Sequence, residues 1–331
     1  MLLQAVARIA LPLVALTRRS VAMQVGASGT ARELVLITDF DGTCTDRDTT
    51  GLVAQLAARR PGQSTPDAHV LAIFNELEQS YLSLLSQSKA SHLGAKASAA
   101  GGCYDGVGLE EALAAFDAVS DEVTERLSAS GILAGMDAAE TASILAEWHA
   151  AVEGSGAPHP PALRAGCAEA LEALAASGWE LGVLSLNWWP PLIRAYLPLL
   201  AQRGARLWCN DIDAAGVVSS DVNGAAAKRG VISKFRHELS DARGGADGGG
   251  SGNSPLIVYI GDSATDLLAM LEADIGVLIG ESQSAREIAR TFGVRLEPLE
   301  AARSRDERTG HGVVYEAGGD WDAIRAVLEA L

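Results

Sequence analysis

The sequence predicts an α/β fold, a doubly wound parallel sheet with a helical domain inserted after its first strand. Three observations lead to this fold class. Short, nearly continuous apolar segments alternate with helical stretches, as in a parallel sheet covered by helices on both faces. About 140 residues without a convincing strand separate the first apolar segment from the second, far more than a crossover requires. The chain of 331 residues is 48% hydrophobic, enough to bury a core and an insertion.

Buried strands are predicted within a core made of residues 33–45 and 165–331. Their near-continuous apolar character indicates strands that are covered on both faces. In chain order the predicted strands are LVLI (34–37), WELGVLSL (179–186), ARLWC (205–209), PLIVYI (255–260) and DIGVLI (274–279).

Residues 46–164 are predicted to form a helical cap domain. The segment LAIFNELEQSYLSLLSQ (71–87) repeats apolar residues at intervals of three and four, as an amphipathic helix does. Asp137 and Glu140 have the Asp-x-x-Glu spacing of a helix start. The aromatic side chains of this region lie in helical apolar patterns, which favours packing over ligand contact: Phe74, Tyr81 and Trp148.

Composition excludes several classes of partner. The formal net charge of −16 opposes binding to nucleic acid or to anionic membranes, because like charges repel. No uninterrupted apolar stretch reaches the ~20 residues of a membrane span. The four cysteines include no CxxC pair and indicate neither a zinc site nor a disulfide framework. We therefore expect a folded protein without nucleic-acid or stable membrane partners.

Residues 1–32 have the composition of an organelle transit peptide. They contain four arginines and no acidic residue. A secretory signal is an alternative, because residues 9–16 are apolar, but Arg8 interrupts the apolar stretch and no basic region precedes it. A cytosolic extension is the remaining alternative. The predicted location is mitochondrial or plastid, with the cytoplasm as the alternative.

Two carboxylates follow the first predicted strand in LVLITDFDGTCTD (34–46). Asp39 and Asp41 lie at the carboxyl end of the strand, the edge beyond which open parallel sheets bind ligands. Residues two apart on an extended path point the same way, so both carboxylates can face one site. Taken alone, the pair could equally be turn-forming aspartates on the surface.

The second predicted strand also ends in polar side chains. Ser185 and Asn187 follow it in VLSLN and are expected at the same edge as the aspartates. Ser185 could alternatively cap a helix that begins at Pro190, since proline is favoured in the first turn of a helix.

The fourth predicted strand runs into IGDSATD. Gly261 permits a tight turn there, and Asp262 and Asp266 fall on one face if a helix begins at Ser263. Either aspartate could instead be a helix cap. A helix-cap role alone is less favoured here, because three predicted strands end in polar side chains at the same edge of the sheet.

A lysine completes the set of candidate residues. Only four of the 26 basic residues are lysine, so a lysine one helix before IGDSATD suggests that a compact ammonium is required. Lys234 and Lys228 both qualify. We favour Lys234, because it lies within the apolar helical pattern of GVISKFRHEL.

The motifs DFDGT, Ser185, Lys234 and GDSATD, in this order, resemble the haloacid dehalogenase (HAD) superfamily of phosphohydrolases. The resemblance implies a HAD-like Rossmannoid core, and the helical insertion resembles the C1 cap of that superfamily. The stretches SGILAGM (130–136), SLNWW (185–189) and VYIGDSATDLLAMLEADIGVLIG (258–280) are similar to the thiamin monophosphate phosphatase domain that plants carry fused to a TenA-like domain. This chain contains no TenA-like part.

The resemblance implies a role for each candidate residue. Asp39 is the nucleophile that forms an aspartyl-phosphate, and Asp41 is the general acid and base. Mg²⁺ would be bound by Asp39, the backbone carbonyl of Asp41, and Asp262. Ser185 and Lys234 would bind phosphoryl oxygens. Asp266 would hold the ammonium or a metal-bound water. Asn187 and Trp188 would border the leaving group.

The function implied is that of a phosphomonoesterase acting on a small phosphorylated metabolite, with thiamin monophosphate as the expected substrate. A nucleotide or phosphoserine phosphatase on the same fold is an alternative, because the core motifs determine the chemistry and not the leaving group. A non-catalytic HAD-like regulatory protein is a further alternative. So many charged residues converging on one crevice argue against it.

Overall fold

The computed structural model describes residues 32–59, 66–93, 103–152, 159–242, 255–304 and 312–331. Arg32–Leu331 forms one compact unit. Except for Arg32, the predicted transit peptide lies outside the described residues. Among the helices that are described, none combines the length and apolar character needed to cross a membrane.

The described residues form one sheet of seven parallel strands, which confirms the predicted fold class. The order across the sheet is β3-β2-β1-β4-β5-β7-β6. The strands are β1 (Leu34–Thr38), β2 (Glu180–Leu184), β3 (Arg206–Trp208), β4 (Leu256–Gly261), β5 (Ile275–Ile279), β6 (Arg295–Pro298) and β7 (Val313–Ala317).

The sequence-based prediction found the first five strands and missed β6 and β7. Strand β6 is an edge strand with no fully buried residue, so it lacks the continuous apolar run that marks the central strands. Strand β7 is interrupted by Glu316, whose carboxylate accepts from Nε of Arg286 at 2.6 Å. Partial exposure of β6 and the paired charge in β7 therefore leave neither strand with the continuous apolar run from which strands were predicted.

Helices cover both faces of the sheet. Successive residues of a strand point to opposite faces, and Leu36 accordingly packs in one apolar cluster while Val35 and Ile37 pack in the other. Burial of each such side chain contributes roughly 1.5–3 kcal/mol. The helices of the core are α5 (Cys167–Ala176), α6 (Pro190–Tyr196), α7 (Leu199–Arg203), α8 (Ala225–Ala242), α9 (Leu267–Glu272), α10 (Gln283–Thr291) and α11 (Trp321–Leu328).

The insertion between β1 and β2 begins with four helices. They are α1 (Thr50–Ala58), α2 (Ala68–Leu93), α3 (Gly106–Ser130) and α4 (Ala138–Val152). Helix α4 begins as predicted, because Oδ1 of Asp137 accepts from the backbone N–H of Ala139 at 2.8 Å. The two chain segments that join the insertion to the sheet pair at Thr45 and Leu163. The exact limits of core and cap stay a prediction.

The strand order places a switch point next to β1. The chain proceeds from β1 to β2 and β3 on one side and to β4 and β5 on the other. The carboxyl ends of β1, β2 and β4 therefore meet at one edge, where open α/β sheets form their ligand crevice.

Candidate active site

A tight turn after β1 carries the two aspartates of DFDGT. The backbone N–H groups of Cys44 and Thr45 donate to the carbonyl of Phe40 at 2.9 and 3.1 Å. Gly42 has φ +69°, and a Cβ at this position would lie 2.4 Å from Oδ2 of Asp262. The turn therefore requires glycine for its backbone conformation and for the close approach of Asp262.

Three carboxylates, two of them buried, cluster next to this turn. Asp39, Asp262 and Asp266 each present an oxygen within 4.8 Å of the others. Burial raises the pKa of Asp39 well above its usual range, against the opposing effect of Lys228. Burial and the neighbouring charge of Asp266 raise the pKa of Asp262 to about 7. Ionising all three carboxylates therefore requires positive charge at the site.

Lys228 supplies one positive charge from within the protein. Its side chain is 1% exposed, and its Nζ lies 2.7 Å from Oδ1 of Asp266 and 3.1 Å from Oδ1 of Asp39. Burial alone would lower the pKa of Lys228, but the carboxylates of Asp266 and Asp39 raise it above its usual range. The ammonium therefore remains charged beside Asp39.

The structure does not bring Lys234, the lysine favoured from the sequence, to the site, and it places Lys228 beside Asp39 instead. Lys234 is exposed on α8. Six residues correspond to about 600° around a helix of 3.6 residues per turn, so its side chain points about 120° away from that of Lys228. The buried positions of α8 include Ile232, Phe235 and Leu239, and Lys228 lies four residues before the first of them. The spacing thus places Lys228 on the buried face.

Asp266 is fully occupied in holding Lys228 and its own turn. Its Oδ1 accepts from Nζ of Lys228 and from the hydroxyl of Tyr259, both at 2.7 Å. Its Oδ2 accepts from the backbone N–H and the hydroxyl of Ser263 at 3.0 and 2.7 Å. A Cβ at Gly261 would lie 2.3 Å from the carboxyl carbon of Asp266. These contacts leave Asp39 and Asp262 as the carboxylates available to a cation.

Asp41 is oriented by Thr49, just before α1, and by Asn187, which follows β2. Both the backbone N–H and the hydroxyl of Thr49 donate to its Oδ1. The side-chain amide of Asn187 donates to Oδ2 at 2.9 Å. Burial and the charge of Asp48 raise the pKa of Asp41 to about 6, although these hydrogen bonds oppose the rise. Asn187, predicted to border the leaving group, therefore contacts Asp41 directly. Thr49 was not predicted, because no sequence motif marks it.

The segment after β2 lines the site and contacts the cap. Ser185 is buried, and its Oγ accepts from the backbone N–H of Asn187 at 3.1 Å. The alternative that Ser185 caps α6 is wrong, because Trp189 occupies that position. Nε1 of Trp189 donates to Thr141 in α4 at 2.9 Å, whereas the half-buried Trp188 lines the cavity described next.

A cavity of about 550 Å³ lies between this edge of the sheet and the cap. Its aromatic lining consists of Trp188 from the core and Phe74 and Tyr81 from α2, so the last two do more than pack within the cap. Trp148 instead packs against Arg59, whose guanidinium carbon lies 4.2 Å from the ring centroid. The acidic lining residues are Asp39, Asp41, Asp48, Glu78 and Asp262, and the described lining includes no Lys or Arg.

The site is suited to a divalent cation with oxygen ligands. Oδ1 of Asp39 is buried and accepts no hydrogen bond of ordinary geometry. It forms an ion pair with Lys228. Asp262 is held in place by the hydroxyl of Thr43, which donates to its Oδ1 at 2.9 Å. Carboxylate oxygens are the ligands that hard cations prefer. The chain thus presents two positioned carboxylates whose negative charge a cation would offset.

The chain is similar to one curated relative over most of its length, whereas no family model matches it. The relative is the "Bifunctional TH2 protein, mitochondrial" of Arabidopsis thaliana, 26% identical over 290 residues. The similarity covers 81% of this chain and 43% of the relative. The chain therefore spans less than half the length of that relative.

Solved structures with similarity to the chain include two of phosphoserine phosphatase. A phospho-aspartyl intermediate analogue of phosphoserine phosphatase has 13% identity and a TM-score of 0.43, covering 79% of this chain and 91% of that one. The phosphoserine phosphatase of T. onnurineus has 14% identity and a TM-score of 0.43, with coverages of 92% and 100%. A Bordetella pertussis Tohama I protein of unknown function has 14% identity and a TM-score of 0.45, with coverages of 80% and 97%.

The sheet, the motifs and the curated relative agree with one another. The sheet order brings DFDGT, Ser185 and GDSATD to one edge, below a helical insertion that follows the first motif. The chain has a doubly wound parallel sheet with motifs that resemble those of the haloacid dehalogenase superfamily, and it is similar to the bifunctional TH2 protein over four fifths of its length.

Proposed function

We propose that the protein is a Mg²⁺-dependent phosphomonoesterase that acts through an aspartyl-phosphate at Asp39. The observation that carries this proposal is the placement of Asp39, which is buried between Lys228 and Asp262 and still lines a cavity. A structural carboxylate would have its oxygens satisfied by hydrogen bonds. Oδ1 of Asp39, by contrast, is buried and lies 3.1 Å from Nζ of Lys228, but it accepts no hydrogen bond of ordinary geometry.

Asp39 would attack the phosphorus of a phosphate ester that enters from the cavity. A new bond forms between the carboxylate oxygen and phosphorus, and the bond from phosphorus to the ester oxygen breaks. Lys228 would offset the negative charge of the phosphoryl oxygens, and the hydroxyl of Ser185 would donate a hydrogen bond to one of them. Asp39, Asp262 and the backbone carbonyl of Asp41 would hold Mg²⁺, which supplies further charge neutralisation when bound.

Asp41 would move the proton in both halves of the reaction. Its Oδ1 accepts two hydrogen bonds from Thr49, whereas Oδ2 accepts one from Asn187. Oδ2 therefore has capacity to give a proton to the departing ester oxygen and to take one from the water that hydrolyses the aspartyl-phosphate. A pKa of about 6 suits a group that must do both near neutral pH.

We propose thiamin monophosphate as the substrate. This molecule joins a phosphate ester to a cationic thiazolium ring and a pyrimidine ring. The cavity has the volume typical of small-molecule sites, three aromatic side chains and an acidic lining. A cation over an aromatic ring contributes about 0.5–2 kcal/mol, which favours such a leaving group without excluding others. The resemblance of residues 130–136, 185–189 and 258–280 to the plant thiamin monophosphate phosphatase domain supports this choice.

We propose an organellar location, mitochondrion or plastid, from the composition of residues 1–32 and from the similarity to the TH2 protein, which is mitochondrial. A fluorescent fusion of the full chain tests this. Accumulation in the cytoplasm would contradict it.

The experiment that tests the function is a screen of phosphate release across metabolite monophosphates, with and without Mg²⁺. We expect the highest kcat/KM for thiamin monophosphate. A higher value for a nucleotide or for phosphoserine would overturn the substrate and leave the chemistry intact. If no ester is hydrolysed, the proposed phosphatase activity is excluded and a binding protein is the remaining alternative.

Removal of divalent cations is expected to abolish activity. Without a cation, Asp39, Asp262 and a phosphate dianion repel one another, and Lys228 supplies only one positive charge. EDTA should eliminate phosphate release, and excess Mg²⁺ should restore it. Ca²⁺, with its larger and more variable coordination shell, should inhibit. Full activity in the chelator would show that the carboxylates are not a metal site.

Replacing Trp188 with Ala is expected to reduce the preference for thiamin monophosphate. The indole lines the cavity near Ser185 and supplies an aromatic face to the leaving group. The ratio of kcat/KM for thiamin monophosphate to that for a small alkyl phosphate should fall by about twofold to thirtyfold. An unchanged ratio would exclude contact with the leaving group. Trp148→Ala is the matched control, because Trp148 packs against Arg59.

A further inference from the structure

The cap contacts the start of the helix that carries Lys228. The side chain of Asp117 in α3 accepts from the backbone N–H of Ala225 at 2.9 Å and from that of Ala226 at 3.2 Å. These N–H groups open α8 and belong to the four that have no partner within a helix. A side chain of the cap therefore performs the capping that a residue next to the helix usually provides.

Gly224 makes this contact possible. It is buried immediately before α8, and a Cβ there would lie 2.0 Å from the carboxyl carbon of Asp117. Any larger residue would push the carboxylate away from the helix. The sequence Asn-Gly-Ala at 223–225 is thus shaped to receive a carboxylate from the cap.

Two further acidic residues of α3 contact the same region. Oδ1 of Asp121 accepts from Nδ2 of Asn223 at 2.6 Å, and Oε2 of Glu110 accepts from Arg229 at 3.2 Å. Glu110, Asp117 and Asp121 are spaced by seven and four residues, which places them on one face of α3. Of these three, Asp117 accepts from the backbone of α8, whereas the others contact side chains.

Lys228 lies in the turn that Asp117 caps. Its backbone N–H donates to the carbonyl of Gly224 at 3.0 Å, so the capped turn determines where its side chain starts. From there Nζ reaches Asp39 at 3.1 Å. A shift of this turn would move the ammonium relative to the phosphoryl oxygens.

We propose that Asp117 is a positioning residue for Lys228, so that docking of the cap and completion of the phosphate pocket are one event. The proposal rests on the function proposed above. Asp117 touches neither Lys228 Nζ nor substrate; it fixes the first turn of α8 from the opposite domain. The cap thereby contributes to phosphate binding as well as to recognition of the leaving group.

The test measures the affinity of the full-length protein for inorganic phosphate by calorimetry in Mg²⁺, together with kcat/KM and thermal unfolding. Asp117→Ala should weaken phosphate binding about fivefold, the ratio that loss of a capping side chain typically gives. Asp117→Asn keeps one of the two acceptor oxygens and can still accept from one of these N–H groups, so it should lose less phosphate affinity than Asp117→Ala. Asp121→Ala is the matched control, because it also removes a contact between cap and core.

Two results would overturn the proposal. One is an unchanged phosphate affinity in Asp117→Ala. The other is an equal loss in Asp121→Ala, which would show that cap docking in general, and not the start of α8, is responsible. If the unchanged protein neither binds phosphate nor hydrolyses any ester, the proposed function has failed. Normal activity with an unaffected Asp117→Ala would contradict this inference alone.

Discussion

Replacing Asp39 with Asn is expected to lower kcat by at least about ten-thousandfold, as the loss of a nucleophile does in other enzymes with covalent intermediates. The amide nitrogen and oxygen are too weakly nucleophilic to attack phosphorus. Phosphate release gives the rate, and the intact mass of rapidly acid-quenched protein should reveal a phosphoryl group on the unchanged enzyme and none on Asp39→Asn. Asp39→Asn with near-normal turnover would overturn the assignment of the nucleophile.

The matched control for this substitution is Asp46→Asn. Asp46 is an exposed aspartate five residues after Asp41, and its Oδ1 accepts from the backbone N–H of Ala162 at the junction of core and cap. An asparagine oxygen can accept the same hydrogen bond, so activity should change by less than about threefold. Thermal unfolding of both variants shows whether any loss of activity reflects loss of the fold.

Replacing Lys228 with Met is expected to lower kcat/KM by at least about a hundredfold, the typical result of removing a preorganised charge from a transition state. The variant should also lose about 3–5 kcal/mol in the free energy of unfolding, because Asp266 and Asp39 lose their buried counter-charge. Lys228→Arg keeps the charge with a different geometry, so it should fold better than Lys228→Met and remain impaired.

Lys234→Ala provides the comparison on the same helix. Lys234 is exposed, and its removal should change the unfolding free energy by less than about 0.5 kcal/mol and leave kcat/KM within about twofold. Denaturant unfolding and phosphate release measure the two quantities. A large loss in Lys234→Ala with little effect in Lys228→Met would contradict the placement of Lys228 beside Asp39.

Sequence reasoning succeeded where one strong pattern determined the answer. The central strands are apolar on both faces, and the motifs after β1 and β4 lie at the edge where parallel strands deliver them. Asp39 and Asp262 could therefore be placed near each other although 223 positions separate them in the chain. Strands β6 and β7 carry weaker patterns because one is an edge and the other contains a paired charge.

The choice between Lys228 and Lys234 is one that the sequence pattern of α8 could have decided correctly. The apolar pattern of α8 does not favour every residue within it, because its register selects one face of the helix. Lys228 precedes Ile232, Phe235 and Leu239 by four, seven and eleven residues, and Lys234 does not share this spacing. A lysine on the buried face of an amphipathic helix requires a carboxylate partner, which itself points to a site.

Other contacts of the site have no sequence signature. Thr49 reaches Asp41 only because the chain turns back where the cap begins, and Tyr259 reaches Asp266 only because β4 and the turn after it fold together. Single hydroxyl groups of this kind occur throughout any sequence. They become identifiable as parts of the site once the backbone is known.

The pairing of Thr45 with Leu163 affects how the chain can change during evolution. The two ends of the insertion lie next to each other. For the sheet, the insertion is therefore a loop with a fixed short distance between its ends, whatever its length. Doubling the length of a flexible loop adds only about 0.6 kcal/mol of closure entropy. Lineages can therefore enlarge, shorten or exchange the cap at small thermodynamic cost to the sheet, while the aspartates after β1 and β4 remain in place. Substrate range and chemistry can thus diverge at separate rates within one gene.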